Sequence, residues 1–210
     1  MNETVDRLLK RAGQTYAEQA GIRLTDQPDP LYRLLLLSVL LSTRITADLG
    51  VAATRELISS GMGTPRGMLD ASWQDRVDAL GRAHYKRYDE STATALGDGA
   101  RLLLEEYDGD LRKLRDRADR QPATVKKLLT AFPRLGPVGA NIFVREAQRV
   151  WPELAPAFDG KARDGARRVG LPTQPGKLAG LVPNERLADL AAALVRVALD
   201  SRLAEQIQMG

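Results

Sequence analysis

The sequence predicts an all-α protein with two helical lobes and a cleft between them. Three observations point that way. Apolar residues recur at helical spacing, and the strict alternation of a half-buried strand is scarce. Cap residues stand ahead of most of the apolar stretches. Two glycines three apart, Gly136 and Gly139, divide two apolar runs and read as helix, tight hairpin, helix.

Taken in order, Asp29-Pro30 reads as an N-cap followed by proline at the first helical position, opening a helix through Leu41. Thr46 can cap a helix to about Ser59, and Thr64-Pro65 repeats the cap-plus-proline signal. Ser72 with Asp75 resembles a capping box for a short helix ending near Gly81. A long helix is expected from about Glu90 to Glu106. Asp108-Gly109 reads as a turn, and Asp110 as the start of another short helix. Thr124 to Phe132 and Pro137 to Val150 form the arms of the hairpin. Beyond Trp151-Pro152 the chain turns loop-like to Asp159, and a helix is expected over Lys161 to Val169. Pro172 to Pro183 holds three prolines and reads as a loop with at most a short helix. Asn184 caps a last helix ending near Ala204. No internal repeat is visible.

Composition narrows the chemistry. There is no cysteine, which excludes disulfides, thiolate metal sites, cysteine-held iron–sulfur clusters and a cysteine nucleophile. A single histidine, His84, excludes a histidine-rich metal site. The first twenty residues are too polar for a signal peptide, and the apolar run Leu34 to Leu41 is too short to span a membrane. A soluble, cytoplasmic protein is expected, with no membrane partner. The net charge is +4, but Lys126 to Gly170 alone holds nine basic and four acidic residues. That segment suits a polyanion, although such a run also fits a solvated helix face.

The hairpin glycines leave the backbone uncovered, so N–H groups at the start of the second helix can approach an anion. For a basic protein a nucleic-acid phosphate is the natural anion. Nineteen residues beyond Ala140 stands Asp159, just ahead of a basic stretch. A phosphate grip with a carboxylate close behind suggests chemistry on DNA. Asp159 also fits a plain Asp-Gly turn that caps the following helix.

Three segments together resemble the helix-hairpin-helix DNA glycosylases of the endonuclease III type. Phe132 to Asn141 is similar to that family's Leu-Pro-Gly-Val-Gly-x-Lys-x-Ala-Asn hairpin. Phe158-Asp159-Gly160-Lys161 with Arg168-Val169-Gly170 resembles its Val-Asp-Thr-His and downstream Arg-Leu-Gly. Leu40-Leu41-Ser42-Thr43-Arg44-Ile45-Thr46 resembles its Leu-Leu-Ser-Ala-Gln-x-Thr. The resemblance runs from about Pro30 to Leu171. It implies a six-helix barrel lobe over 27–150, with the helix-hairpin-helix at about 124–150. A second helical lobe over 1–26 and 151–210 would carry the catalytic aspartate. Double-stranded DNA would lie across the cleft, bound by a monomer associated with the nucleoid. A damaged or mispaired base would be flipped into a pocket there.

By the same resemblance the activity is that of a DNA glycosylase in base excision repair, with Asp159 as the catalytic aspartate. Cleavage of an N-glycosidic bond builds positive charge on the sugar, which a fixed carboxylate stabilises. Where the lyase members carry a nucleophilic lysine, this chain has Val138, which implies a monofunctional enzyme. Two alternatives remain: a DNA-binding protein that retains the fold without the chemistry, and a bifunctional enzyme using Lys161 or another lysine. Lys161 is expected to contact phosphate. Arg134 stands in place of the first hairpin glycine. Gly136, Val138 and Gly139 would grip the DNA backbone. Arg44 occupies the place of a glutamine that fills the gap left by the flipped base, and a surface salt bridge would explain it equally well. His84 and Tyr85 fall at a wedge loop, where they would stack on a base or pack at a loop–helix junction. The family's iron–sulfur cluster has no cysteines to hold it here. A Na+ or K+ ion at the hairpin would be bound by the carbonyls of Thr130, Phe132 and Leu135.

Overall fold

The computed structural model describes residues 2–209, and among them the chain is helical with no strand. The helices are α1 (Glu3–Ala12), α2 (Tyr16–Gln19), α3 (Pro28–Leu41), α4 (Ala47–Leu57), α5 (Pro65–Asp70), α6 (Trp73–Arg82) and α7 (Asp89–Tyr107). They continue as α8 (Leu111–Arg117), α9 (Pro122–Leu129), α10 (Gly136–Ala147), α11 (Gly160–Arg168), α12 (Pro175–Ala179), α13 (Leu187–Leu199) and α14 (Ser201–Met209). They form two compact units. One runs from Ala17 to Phe143. The other joins the chain's two ends, up to Tyr16 and from Val144 onward. The resemblance drew its lobes at 27 and 150 instead.

In the Ala17–Phe143 unit, α3 is the core helix, buried at nearly every position from Leu31 to Leu40. It begins at Pro28, two residues ahead of the expected proline, so Asp29 lies inside the first turn and is not the cap. Gln27 is extended and Pro28 has its φ preset, so the helix starts there and places the Asp29 carboxylate at the positive helix end. Thr46 takes the N-cap position of α4 without a side-chain cap bond. That helix gives way after Leu57 to a π-turn over Ile58–Met62, where Gly61 adopts φ +86°. Thr64 caps α5 through the Gly67 N–H, and Ser72 and Asp75 form the expected capping box on α6. Asp110 caps α8 through the Arg112 N–H. Gly97 of α7 leaves room for the Arg76 guanidinium, which a Cβ would meet at 3.0 Å. That guanidinium donates to the carbonyls of Met68 and Ala71. Tyr32 is buried with its hydroxyl unbonded among the described residues, and burial pushes it far above the ordinary tyrosine range.

In the other unit, Asn2 caps α1 through the N–H groups of Thr4 and Val5. Helix α13 is a buried, alanine-rich stave, and α11 packs on it more extensively than on any other helix. Their crossing is at backbone distance: a Cβ on Gly165 would lie 1.8 Å from the Leu194 carbonyl oxygen. The expected single C-terminal helix is two. Asn184 opens a short 3-10 turn rather than capping α13. Asp200 turns extended, and its carboxylate accepts from the Arg202 and Leu203 N–H groups, starting α14. The aspartate side chain competes for backbone N–H groups and ends one helix by capping the next.

Candidate nucleic-acid interface

The hairpin lies at the end of the Ala17–Phe143 unit. Helix α9 ends at Thr130, whose hydroxyl donates to the Lys127 carbonyl at 2.7 Å. Phe132 and Leu135 turn inward and are buried, anchoring the elbow from below. Arg134 takes φ +62° and Gly136 φ +42°. The left-handed bend at Arg134 is thus made by an arginine where the resembled hairpin has glycine. Gly139 must be small, because a Cβ there would meet Leu135 Cδ1 at 2.8 Å and Ser42 Cβ at 3.3 Å. The N–H groups of Gly136 and Val138 belong to the first turn of α10, where a helix offers no internal acceptors, and Gly139 is the first residue whose N–H lies one turn beyond an acceptor, the Leu135 carbonyl. Val138 projects beside them, 63% exposed.

Two other segments are pinned against this elbow. Ser42 donates its hydroxyl to the Arg134 carbonyl at 3.3 Å and to the Val39 carbonyl at 2.7 Å. Arg134 sends Nη1 to the Ser91 Oγ at 2.7 Å and lies 5.5 Å from the centroid of the Tyr88 ring. Arg87 lies over the same ring at 5.2 Å. Tyr85 donates to Thr43 Oγ1 and pairs with Thr92 Oγ1, each at 3.2 Å. One unit therefore brings together the end of α3, the 83–88 loop and the hairpin. Arg44, His84, Lys86 and Arg87 are exposed. Arg44 forms no ion pair among the described residues. Of the two wedge-loop residues, Tyr85 is buried and packs at the junction, while His84 is exposed at φ +62°. The contacts of Ser42, Tyr88 and Arg134 escaped the sequence reading because they join residues far apart in the chain.

Asp159 and Lys161 belong to the other unit. Asp159 is the N-cap of α11: Oδ1 accepts from the Ala162 N–H at 2.9 Å. Its Oδ2 accepts from Arg145 Nη1 at 2.6 Å. The Arg145 side chain is 4% exposed and that of Asp159 is 11% exposed, so the carboxylate keeps a narrow opening to solvent. Arg145 Nε lies 3.8 Å from the fully buried Glu146 carboxylate. The Arg145 guanidinium is also 5.5 Å from the Tyr16 ring centroid, and the Arg196 guanidinium lies over that ring at 4.3 Å. Gln148 braces the approach to Asp159. Its amide donates to the Ala157 carbonyl at 3.0 Å and accepts from the Ala157 N–H at 2.9 Å. Lys161 and Arg163 are exposed on α11.

Arg145 corrects the charge reading. It was one of nine basic residues available to a polyanion, and it is instead buried on a carboxylate. Arg149 and Arg167 are also paired, with Asp189 and Asp164. For a monovalent ion at the hairpin, the carbonyl oxygens are the donors on offer. The Thr130 hydroxyl is turned back onto Lys127, and the Phe132 carbonyl already accepts from the Leu135 N–H at 3.1 Å, which leaves it one lone pair. No group of three or more His, Cys, Asp or Glu among the described residues could hold a metal ion. No helix among the described residues is long and apolar enough to cross a membrane.

No protein-family model matches this sequence, and no curated protein matches it. Two solved structures share its fold. A non-covalent endonuclease III–DNA complex matches at TM-score 0.55 and 16% identity, over 91% of this chain and 80% of that one. A trapped endonuclease III–DNA covalent intermediate, in an estranged-adenine complex, matches at TM-score 0.51 and 16% identity, over 93% and 85%. The chain has the all-helical fold of these proteins.

Proposed function

We propose that this chain is a monofunctional DNA glycosylase, which binds duplex DNA and hydrolyses the N-glycosidic bond of a flipped damaged or mispaired base. The observation that carries the reading is Asp159: within a fold shared with endonuclease III bound to DNA, a part-open carboxylate stands at the start of α11. Such a group stabilises the positive charge that grows on the sugar as the base departs. The α10 elbow supplies N–H donors for a backbone phosphate, with Arg44 and His84 exposed in the same unit; Lys161 and Arg163 are exposed in the unit that carries Asp159. The carbonyls of Thr130, Phe132 and Leu135 would hold a monovalent cation that adds positive charge at the same phosphate. Val138 offers no nucleophile, so the base leaves by attack of water, and the protein forms no covalent link to the sugar.

Incubation with duplexes that each carry one lesion tests this. Wild type should release a base from at least one of them, and Asp159→Asn should slow that release by about 10²-fold or more. No borohydride-trapped adduct should form. One observation favours a second reading, a DNA-binding protein without chemistry. Both Asp159 oxygens are engaged, one in a helix cap and one on Arg145, as a purely structural carboxylate would be. Tight binding with no release across a broad lesion panel would establish that reading. A trapped adduct through Lys161 would overturn both.

A further inference from the structure

We infer that Arg145 is a positioning residue for Asp159, setting the plane of its carboxylate. The inference rests on the glycosylase reading. A carboxylate at a helix start can rotate about two side-chain torsions. Here each oxygen is fixed by a different helix: Oδ1 by the Ala162 N–H of α11, and Oδ2 by the guanidinium of Arg145 on α10. The second bond is short, at 2.6 Å, and charge-assisted. Arg145 is itself held in place. Its side chain is almost wholly buried and packs by the Tyr16 ring. Arg196 lies over that ring as well, and donates to the carbonyls of Ala12 and Gln14.

Arg145 lies between two acids, Asp159 at 2.6 Å and Glu146 at 3.8 Å. Glu146 is fully buried, and Asp159 is the member that keeps an opening. The carboxylate that reaches solvent therefore has its plane set in advance. Preorganisation of this kind is what electrostatic stabilisation of a transition state requires.

The test uses the whole protein and any lesion duplex that the wild type processes. Single-turnover base release at saturating enzyme is measured beside the affinity for a duplex with a non-cleavable tetrahydrofuran abasic analogue. Arg145→Met should slow release by about 10²-fold, the order expected of a reacting group displaced by about an ångström. Its affinity for the analogue duplex should stay within about threefold of wild type, since the lost interaction acts on the transition state. Arg145→Lys should recover part of the rate. If Arg145→Met does not fold, the lysine variant carries the test. An active wild type whose rate is unmoved by these substitutions overturns this inference alone. Rate and affinity falling in step would do the same, by showing a purely structural role. A wild type that releases no base from any lesion overturns the glycosylase reading, and this inference with it.

Discussion

Under the proposed glycosylase reading, Val138 is the position that separates monofunctional from lyase chemistry. It is the most exposed large apolar residue at the elbow and stands where a lysine nucleophile belongs in the resembled lyases. Val138→Lys should therefore form a borohydride-trapped adduct with an abasic duplex, detected as a band of retarded mobility, where wild type forms none. Absence of the adduct in a folded, DNA-binding variant would show that the elbow does not face the sugar. Tyr32 makes the converse case, a polar atom with no use for its polarity. Its hydroxyl is buried without a partner, so Tyr32→Phe should raise stability by about 1 kcal/mol in urea denaturation. A loss of stability would reveal a bonded hydroxyl. Of these side chains, Asp159 and Val138 were legible in the sequence because their neighbours form a motif. Arg145 was not: an arginine within an apolar helix looks like any other positive charge, and only its burial beside two carboxylates shows what it does.

At the scale of elements, some caps were legible and others were not. Thr64, Ser72 with Asp75, and Asp110 cap where expected, because each side chain meets its N–H within three residues. The starts of α3 and the break at Asp200 were missed. At α3 two prolines, Pro28 and Pro30, each offer a first helical position, and at Asp200 the side chain competes with helix continuation for backbone N–H groups. Glycine was legible at the hairpin and opaque at Gly165, whose partner is 29 residues away. Gly165→Ala should be severely destabilising, by about 3 kcal/mol or more, since the new methyl would overlap main chain that cannot step aside. Denaturant midpoints measure this, and a near-neutral result would mean that α11 and α13 are not in backbone contact.

For the whole molecule, fold class was legible, and duplex DNA as the partner is the proposed reading. Helical period and caps sufficed for the first, and 16% identity to the structural neighbours shows how little sequence the fold needs. The basic stretch was over-read, because ion pairs and burial withdraw part of it from solvent. Exposed cations remain at Arg44, Lys86, Arg87, Lys161 and Arg163. The association constant for duplex DNA should fall with salt at a log–log slope of about −3 or steeper, through release of condensed counterions. A slope near zero would contradict phosphate binding. At constant ionic strength, replacing potassium with tetramethylammonium should weaken binding if the hairpin carbonyls hold a small cation, and should change nothing if they do not.

The contact at Gly165 bears on movement as well as on stability. Two backbones that touch with no side chain between them behave as a rigid joint, with nothing compliant to let one helix roll or slip along the other. Asp159 rides at the tip of the clamped beam. Any adjustment it makes on meeting a ligand must come from the strap of chain just upstream, where Gln148 is a latch bonded to both the N–H and the carbonyl of Ala157. Loosening that latch would retune the carboxylate while leaving the helices at rest.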